Sequence, residues 1–366
     1  MMDNTLYAIG LMSGTSLDGI DSSILSSDGE EKTTIIGNKY LKYTKPFRDK
    51  LSKYIKKISS KEDILKSKLE FKEIERELTI LHSKICIDIL SEFKIDVDLI
   101  GFHGQTIIHR PKLGYSIQMG DPNLLSQLTK KKVIFDFRQN DIINKGEGAP
   151  LTPIYHYILF KKLNFKKPVM FMNIGGITNI TYCEKESFFA KDIGPGNVLI
   201  DEYLKKTKNI LYDIGGEIAL SGNVDFNLIN QFIEHELYNK NDNHSFDRSE
   251  FDFNFVRGLE FENSVATLTY FTANILSNYI NKNFKNEIDI ILCGGGRYNL
   301  TLVKFLKKLT KNNILFIDDF GLNGDFIESQ AFAFLGIRSL LKKKLTYPST
   351  TNVTKPITGG KIYKNF

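Results

Sequence analysis

The heaviest constraint on this chain lies near its start, in Gly10-Leu11-Met12-Ser13-Gly14-Thr15-Ser16-Leu17-Asp18-Gly19-Ile20-Asp21. An apolar run, Leu6 to Ile9, precedes it and another, Ile24-Leu25, follows. The pattern predicts strand, polar turn, strand over residues 5–12 and 20–26. Glycines let the backbone turn tightly and offer N–H groups to an anion, and the hydroxyls add donors. Carboxylates cannot bind phosphate directly, so Asp18 and Asp21 suggest a magnesium ion between them and it. No Gly-Lys-Ser/Thr follows, which excludes a Walker loop. No helix opens after the glycines, which excludes a dinucleotide fingerprint. The plain alternative is an ordinary tight hairpin turn.

The same plan recurs. Val169 to Met172 is an apolar strand, Asn173-Ile174-Gly175-Gly176-Ile177-Thr178-Asn179 follows, and Ile180 to Tyr182 resumes β character. Two halves built this way can face their glycine-rich tips at each other and clamp nucleotide phosphates between two domains. A length of 366 residues suits two domains. The Lys-rich stretch 161–168 marks the main boundary. The expected division is 1–165 and 166–341, with the tail 342–366 packing back on the first domain.

Composition narrows the class. Hydrophobic content of 42% and charged content of 25% are ordinary for a globular protein. The net charge of +6 is scattered in Lys pairs such as Lys56-Lys57 and Lys161-Lys162, without an Arg-rich stripe, which argues against a nucleic-acid partner. Cys86, Cys183 and Cys293 stand far apart, so neither a zinc site nor a disulfide framework is expected. No basic leader with an apolar core and no membrane-length apolar run is present. The expectation is a protein without a membrane partner, working inside the cell.

Further along, a third β-rich run covers 33–43 and helices are predicted over 47–58 and 61–94. Leu65, Leu69, Phe71, Ile74, Leu78, Leu81, Ile85 and Ile89 recur at helical spacing and read as core. Strands are expected at 97–102, 115–119, 133–137, 288–292 and 314–317. Helices are expected at 152–163, 197–207, 260–284, 299–310 and 325–341, with a polar surface excursion over 239–254.

His103-Gly104-Gln105-Thr106 reads as the end of a buried strand, where open α/β sheets bind ligands. His103 beside Gln105 suits sugar hydroxyls, and His109 reads as surface. Arg138 has the fork to hold a substrate carboxylate, against the competing reading of an ion pair with Asp136 or Asp141. Asp192 sits among glycines and a proline before a helix and can serve as a base or reach magnesium through water. Asn197 is the better placed residue to cap that helix. Gly294-Gly295-Gly296-Arg297-Tyr298-Asn299 follows a buried strand and offers bare backbone to an adenine or ribose, or else forms a structural turn. Glu328 falls in the first turn of a predicted helix.

The stretches GLMSGTSLDGID, GFHGQTIIH, YSIQMGDPNLL, DFRQNDI, GAPLTPIYH, NIGGITNIT, DIGPGNVLIDEY, CGGGRYN and ESQAFAFLGIR run in order from residue 10 to 338. In them the chain resembles the anhydro-N-acetylmuramic acid kinase family. The resemblance implies an α/β, two-domain actin-like ATPase (ribonuclease H-like) fold with an interdomain nucleotide cleft, as in sugar kinases, actin and Hsp70. It implies a cytoplasmic enzyme of cell-wall recycling that uses ATP, Mg2+ and water on 1,6-anhydro-N-acetylmuramic acid, and it suggests a homodimer. By position in the motifs, Asp192 is the base and Glu328 orients a catalytic group. Gly14, Thr15, Ser16, Leu17, Asp18, Gly19, Ile20 and Asp21 form the first ATP loop, with Asp18 and Asp21 toward the metal. Asn173, Gly175 and Gly176 form the second phosphate tip, and Gly294, Gly295, Gly296 and Asn299 take the adenosine. His103, Gln105, Arg138 and Glu147 fall to the sugar and its lactyl carboxylate.

Two departures stand out. The family's usual Gly-Gly-Gln-Gly-Ala-Pro appears as Lys145-Gly146-Glu147-Gly148-Ala149-Pro150. The family's Lys-Ser-Thr-Gly-Arg-Glu appears as His244-Ser245-Phe246-Asp247-Arg248-Ser249. Two other readings remain open. One is a kinase for an ordinary hexose or amino sugar, with Asp192 deprotonating a hydroxyl. The other is a nucleotide-gated binding protein of the same fold.

Overall fold

The computed structural model describes residues 5–234 and 252–366, so most of the polar excursion, with the segment His244 to Ser249, lies outside the described residues. The chain divides into two compact units, Met1–Lys162 with Phe326–Phe366, and Leu163–Asp325.

The first unit holds a seven-stranded sheet. Its strands are β1 (Leu6–Ser13), β2 (Gly19–Ser27), β3 (Thr33–Lys42), β4 (Leu99–Arg110), β5 (Tyr115–Met119), β6 (Lys132–Phe135) and, from the C-terminus, β12 (Lys361–Tyr363). The order is β12-β6-β4-β1-β2-β3, with β5 on the far half of β4. β1, β2 and β3 form an antiparallel meander, and β4 runs parallel to β1 and β6.

Side chains alternate across a strand, and the two faces of this sheet differ accordingly. Ile9, Leu11, Ile20, Ile24, Ile100 and Phe102 bury themselves with the helices Lys45–Lys57 and Lys68–Phe93. The other face, through Gly10, Ser23 and Gly101, receives the helix Ile327–Leu340. A Cβ on Gly10 would stand 1.9 Å from the carbonyl oxygen of Ser329, and one on Gly101 2.0 Å from that of Phe332. Here glycine is a packing requirement: the helix backbone lies directly on the strands. This moves a boundary. The helix expected at the end of the second domain belongs to the first unit, because its apolar residues have these strands to cover.

The second unit holds β7 (Val169–Ile174), β8 (Ile177–Glu184), β9 (Ser187–Pro195), β10 (Asp289–Cys293) and β11 (Asn313–Phe316), in the order β11-β10-β7-β8-β9. β7, β8 and β9 form an antiparallel meander, and β10 is parallel to both β7 and β11. Aligned with β6-β4-β1-β2-β3 in the first unit, this is the same plan: a meander whose first strand continues into two parallel strands. The duplication expected from the two hairpins therefore extends to whole sheets, and the α/β two-domain class stands. Helices Phe261–Asn283 and Leu300–Leu309 cover this second sheet around Ile180, Leu276, Ile290 and Leu302.

Several local expectations change. The long helix over 61–94 is broken at Ser67 (φ −108°, ψ 28°), giving Lys61–Lys66 and Lys68–Phe93. Leu65 and Leu69 flank the break and are 71% and 89% exposed, whereas Phe71, Ile74, Leu78, Ile85 and Ile89 are buried. Asp192 lies in β9 opposite Asn179, not in a loop. Asn197 precedes the helix Val198–Lys208 without capping it through its side chain. Among the described residues no helix is long and apolar enough to cross a membrane.

Candidate functional site

In the first unit, β4 does not end at His103. It changes neighbours there. Leu99 to Gly101 pair with β6, and Gln105 to Arg110 pair with β5. Gly104 makes the changeover in the left-handed region (φ 73°), with its carbonyl accepting from Ser13 Oγ at 3.2 Å. His103 and Gln105 flank this kink and are 3% and 1% exposed.

Both ring nitrogens of His103 are engaged. Nδ1 bonds the Gly104 carbonyl at 2.7 Å, and Nε2 accepts from Arg138 Nη2 at 2.9 Å and Nε at 3.3 Å. Nδ1 therefore carries the proton. Burial and the adjacent guanidinium hold the His103 pKa well below its ordinary value, so the ring stays neutral. Arg138 also donates from Nη1 to the Gly148 carbonyl at 2.8 Å. Enclosure pushes its own pKa down to about 10, against the pull of Glu328 and Asp141. The competing reading, an ion pair of Arg138 with Asp136 or Asp141, is not what forms among the described residues. Asp136 pairs with Lys361 at 2.6 Å, and Asp141 spends its carboxylate on the Gly148 N–H and on the hydroxyls of Thr346 and Thr351.

Glu328 opens the helix Ile327–Leu340, and enclosure raises its pKa while the Arg138 charge draws it back. A neutral imidazole, a partly accessible guanidinium and a carboxylate of elevated pKa thus gather at the end of this sheet. Phe332 of the same helix packs against His103 at 4.6 Å between centroids, the rings tilted by 41°. His109, read as surface, is half-buried against Ser116, and burial with the Arg138 charge lowers its pKa to about 4.

Gln105 ties this cluster to the first loop, its Nε2 donating to the Gly14 carbonyl at 3.2 Å while its buried Oε1 has no partner among the described residues. The loop is a tight turn: Leu17 N–H donates to Gly14 O at 3.3 Å, and Leu17 takes φ 54°. Thr15, Ser16 and Asp18 are exposed, Asp18 accepts from Ser16 Oγ, and Gly19, Ile20 and Asp21 open β2. Among the described residues no three His, Cys, Asp or Glu side chains are grouped to hold a metal ion. Asp18 and Asp21 make a pair of carboxylates with exposed surface. That fits magnesium, which takes one or two carboxylates and completes its shell with phosphates and water.

In the second unit three motifs meet at the carboxyl ends of β7 and β10. Gly175 and Gly176 form the β7–β8 tip, and their carbonyls accept from the N–H groups of Asn197, Gly196 and Val198 at 2.8–3.2 Å. A Cβ on Gly196 would stand 2.1 Å from Gly175 O, so the tip rests on the DIGPGN segment. Asn173 pairs with Cys293, and its Oδ1 lies against Gly294, where a Cβ would come within 2.3 Å. Asn299 is 6% exposed and its Oδ1 caps the helix Leu300–Leu309 by accepting from Leu302 N at 3.0 Å. Arg297, which sequence reasoning passed over, is 2% exposed and binds Asp318, Asp325 and the Gly294 carbonyl.

The profile of the anhydro-N-acetylmuramic acid kinase family matches residues 6–365. The chain belongs to this family. The anhydro-N-acetylmuramic acid kinase of Pelagibacter ubique is 43% identical over 375 residues, with 100% of each chain covered. That of Brucella canis is 37% identical over 98% of this chain and 99% of its own. Among solved structures, the (R)-2-hydroxyglutaryl-CoA dehydratase component A of Acidaminococcus fermentans aligns over 92% of this chain and 100% of its own, at 11% identity and a TM-score of 0.46.

The anhydro-N-acetylmuramic acid kinase motifs now have places. GFHGQTIIH is the β4 kink, DFRQNDI supplies Arg138 and Asp141, and ESQAFAFLGIR is the helix that brings Glu328. The family's glycine at the position of Lys145 is explained by φ 69°, which glycine adopts freely and lysine under strain. Glu147, the added charge, accepts from Asn352 Nδ2 at 2.9 Å while its N–H donates to Thr351 O at 2.7 Å. Thr346 and Thr351 were missed, and Asp141 was weighed only as an ion-pair partner of Arg138.

Proposed function

We propose that this chain uses ATP and water to convert 1,6-anhydro-N-acetylmuramic acid into N-acetylmuramic acid 6-phosphate and ADP, within the recycling of cell-wall fragments in the cytoplasm. The observation that carries it is the kinase family match along residues 6–365. ATP use follows from the same membership.

The chemistry needs unusually little from the protein. Inverting glycoside hydrolysis ordinarily takes two carboxyl groups, one to activate water and one to protonate the leaving oxygen. Here the leaving oxygen is O6, and its capture of the γ-phosphoryl group replaces the acid. One base then suffices. Asp192 takes the proton from water as the water attacks C1, the C1–O6 bond breaks, and O6 bonds the γ-phosphorus as the bond from that phosphorus to the departing ADP oxygen breaks. The β9 position suits this role, since a strand holds a carboxylate more rigidly than a loop.

Arg138 receives the lactyl carboxylate, with His103 fixing the guanidinium rather than meeting the sugar itself. Gln105, with its free Oε1, and Glu147 complete the sugar side. Glu328 orients the reacting groups as a carboxylate. Asp18 and Asp21 hold magnesium, which when bound offsets the phosphate charge. The first loop, Gly14 to Asp21, and the tip formed by Asn173, Gly175 and Gly176 take the phosphates.

Two measurements test the reading. Intact anhydro sugar and its opened form are offered in parallel with ATP: turnover of the intact form, with solvent oxygen entering at C1, supports ring opening, and turnover of the opened form alone overturns it. Asp192→Asn should lose nearly all product formation while still binding ATP. Unchanged turnover excludes Asp192 as the base.

A further inference from the structure

We propose that the Tyr298 ring is the platform on which the adenine base of ATP stacks. The proposal rests on reading Gly294 to Gly296 as the adenosine turn.

The first observation concerns the three glycines. Gly294 needs to be glycine, with φ 75° and Asn173 Oδ1 where a Cβ would go. Gly296 needs to be glycine because a Cβ would stand 2.2 Å from Ile174 Cγ2. Gly295 meets neither demand: its φ is not in the left-handed region, and a Cβ there would have nothing within 4 Å. Glycine loses more chain entropy on folding than any other residue. No atom of the described residues accounts for its use at 295, so the bare backbone there points to a group from outside the chain.

The second observation identifies that group. Gly295–Tyr298 is one turn of 3₁₀ helix, in which residues i and i+3 eclipse. Gly295 and Tyr298 therefore lie on the same side, forming a ledge of bare backbone with an aromatic ring beside it. Tyr298 is 53% exposed. One ring face is covered by the Arg297 guanidinium, 4.0 Å from the centroid, so the exposure belongs to the other face and the edge.

The ring is also held in place. Its hydroxyl donates to Asp325 Oδ2 at 2.9 Å and accepts from Arg297 Nη2 at 2.6 Å, and Arg297 is itself fixed by Asp318 at 2.8 Å. An open aromatic face, immobilised from behind and bordered by glycine backbone, fits a flat heteroaromatic ring. Fixing the ring in advance removes the entropy loss that a mobile side chain would suffer on binding.

The chain has no tryptophan, so Tyr298→Trp introduces a sole indole reporter. ATP and ADP should quench or shift its emission, whereas inorganic tripolyphosphate, which lacks a base, should leave it unaltered. An emission unmoved by ATP at concentrations that saturate turnover overturns the proposal. Base–aromatic stacking of roughly 1–3 kcal/mol corresponds to about 5- to 150-fold in affinity. Tyr298→Ala should accordingly raise KM for ATP at least about fivefold, with the loss falling on KM for ATP rather than on kcat or on KM for the anhydro sugar. Tyr298→Phe, which keeps the ring, should recover most of that loss.

Gly295→Ala separates the proposal from the reading beneath it, because its methyl group enters the ledge without touching the protein. If Gly295→Ala weakens ATP and Tyr298→Ala does not, the platform fails and the adenosine turn stands. If neither changes ATP affinity, both fail.

Discussion

The Arg138 guanidinium donates to Nε2 of His103 over 2.9 Å, and this bond requires the imidazole to be neutral. A protonated ring would have no acceptor and would face a second cation. His103→Leu removes the acceptor and frees the guanidinium to drift. A hydrogen bond to a charged group contributes about 1.5–3 kcal/mol, so KM for the anhydro sugar should rise about tenfold or more. His103→Gln can still accept through Oε1 and should recover part of the loss. Steady-state kinetics on the three proteins check this, and equal behaviour of Leu and Gln would contradict it.

Glu328 and Arg138 set each other's protonation. Enclosure raises the Glu328 pKa and the Arg138 charge lowers it. In Arg138→Met the lowering is lost, so the carboxyl group takes up its proton at a higher pH than in the parent. If Glu328 works as a carboxylate, the acid limb of the kcat profile moves to higher pH in this variant. The pH profile at saturating ATP and sugar is the measurement, and an acid limb that stays in place would remove Glu328 from the ionised role.

Asp141 makes the C-terminal segment part of the site. Its buried carboxylate binds the Gly148 N–H at 2.7 Å and the Thr351 hydroxyl at 2.7 Å, while the Gly148 carbonyl holds Arg138. Thr351→Val should destabilise the first unit by about 1.5–3 kcal/mol, the worth of a hydrogen bond to a charged group. It should also raise KM for the sugar more than KM for ATP. Urea unfolding and the two KM values test both parts.

Buried neutral histidines make the fold sensitive to acid. His82 and His156 are fully enclosed, and desolvation lowers their pKa values from 6.5 to about 4 and about 3. In the unfolded chain they take up protons near pH 6.5, but in the folded chain only far below it. Stability is therefore intact above pH 6.5 and is lost as pH falls from there toward 4. At pH 5 the loss is about 2 kcal/mol for each such group. Tm should fall steeply between pH 6.5 and 5, and His82→Leu should flatten that slope.

How much of this was legible follows from how local each feature is. The β1–β2 and β7–β8 hairpins could be read because turn residues and flanking apolar runs adjoin in the chain. Asp192 was misplaced because its strand exists only by pairing with β8, whose register β9 does not announce. His103 was expected past a strand end, yet β4 continues because β5 is there to receive it. The Asn197 side chain does not cap its helix, and of the helix's first N–H groups that of Val198 is taken by the Gly176 carbonyl.

The residues by themselves determined the duplicated hairpin plan, the order of the glycine-rich motifs and the kinase family, since these rest on short-range turn chemistry and residue identity. Tertiary structure alone decided that the helix Ile327–Leu340 belongs to the first unit, where Gly10 and Gly101 let its backbone settle on the strands. It alone decided that Arg138 is held by His103 and Gly148 rather than by Asp136 or Asp141, and that Asp141 is shared with Thr346 and Thr351 more than 200 positions away. A buried charge takes whichever partners enclose it, and those partners are set by packing between segments that have no proximity along the chain.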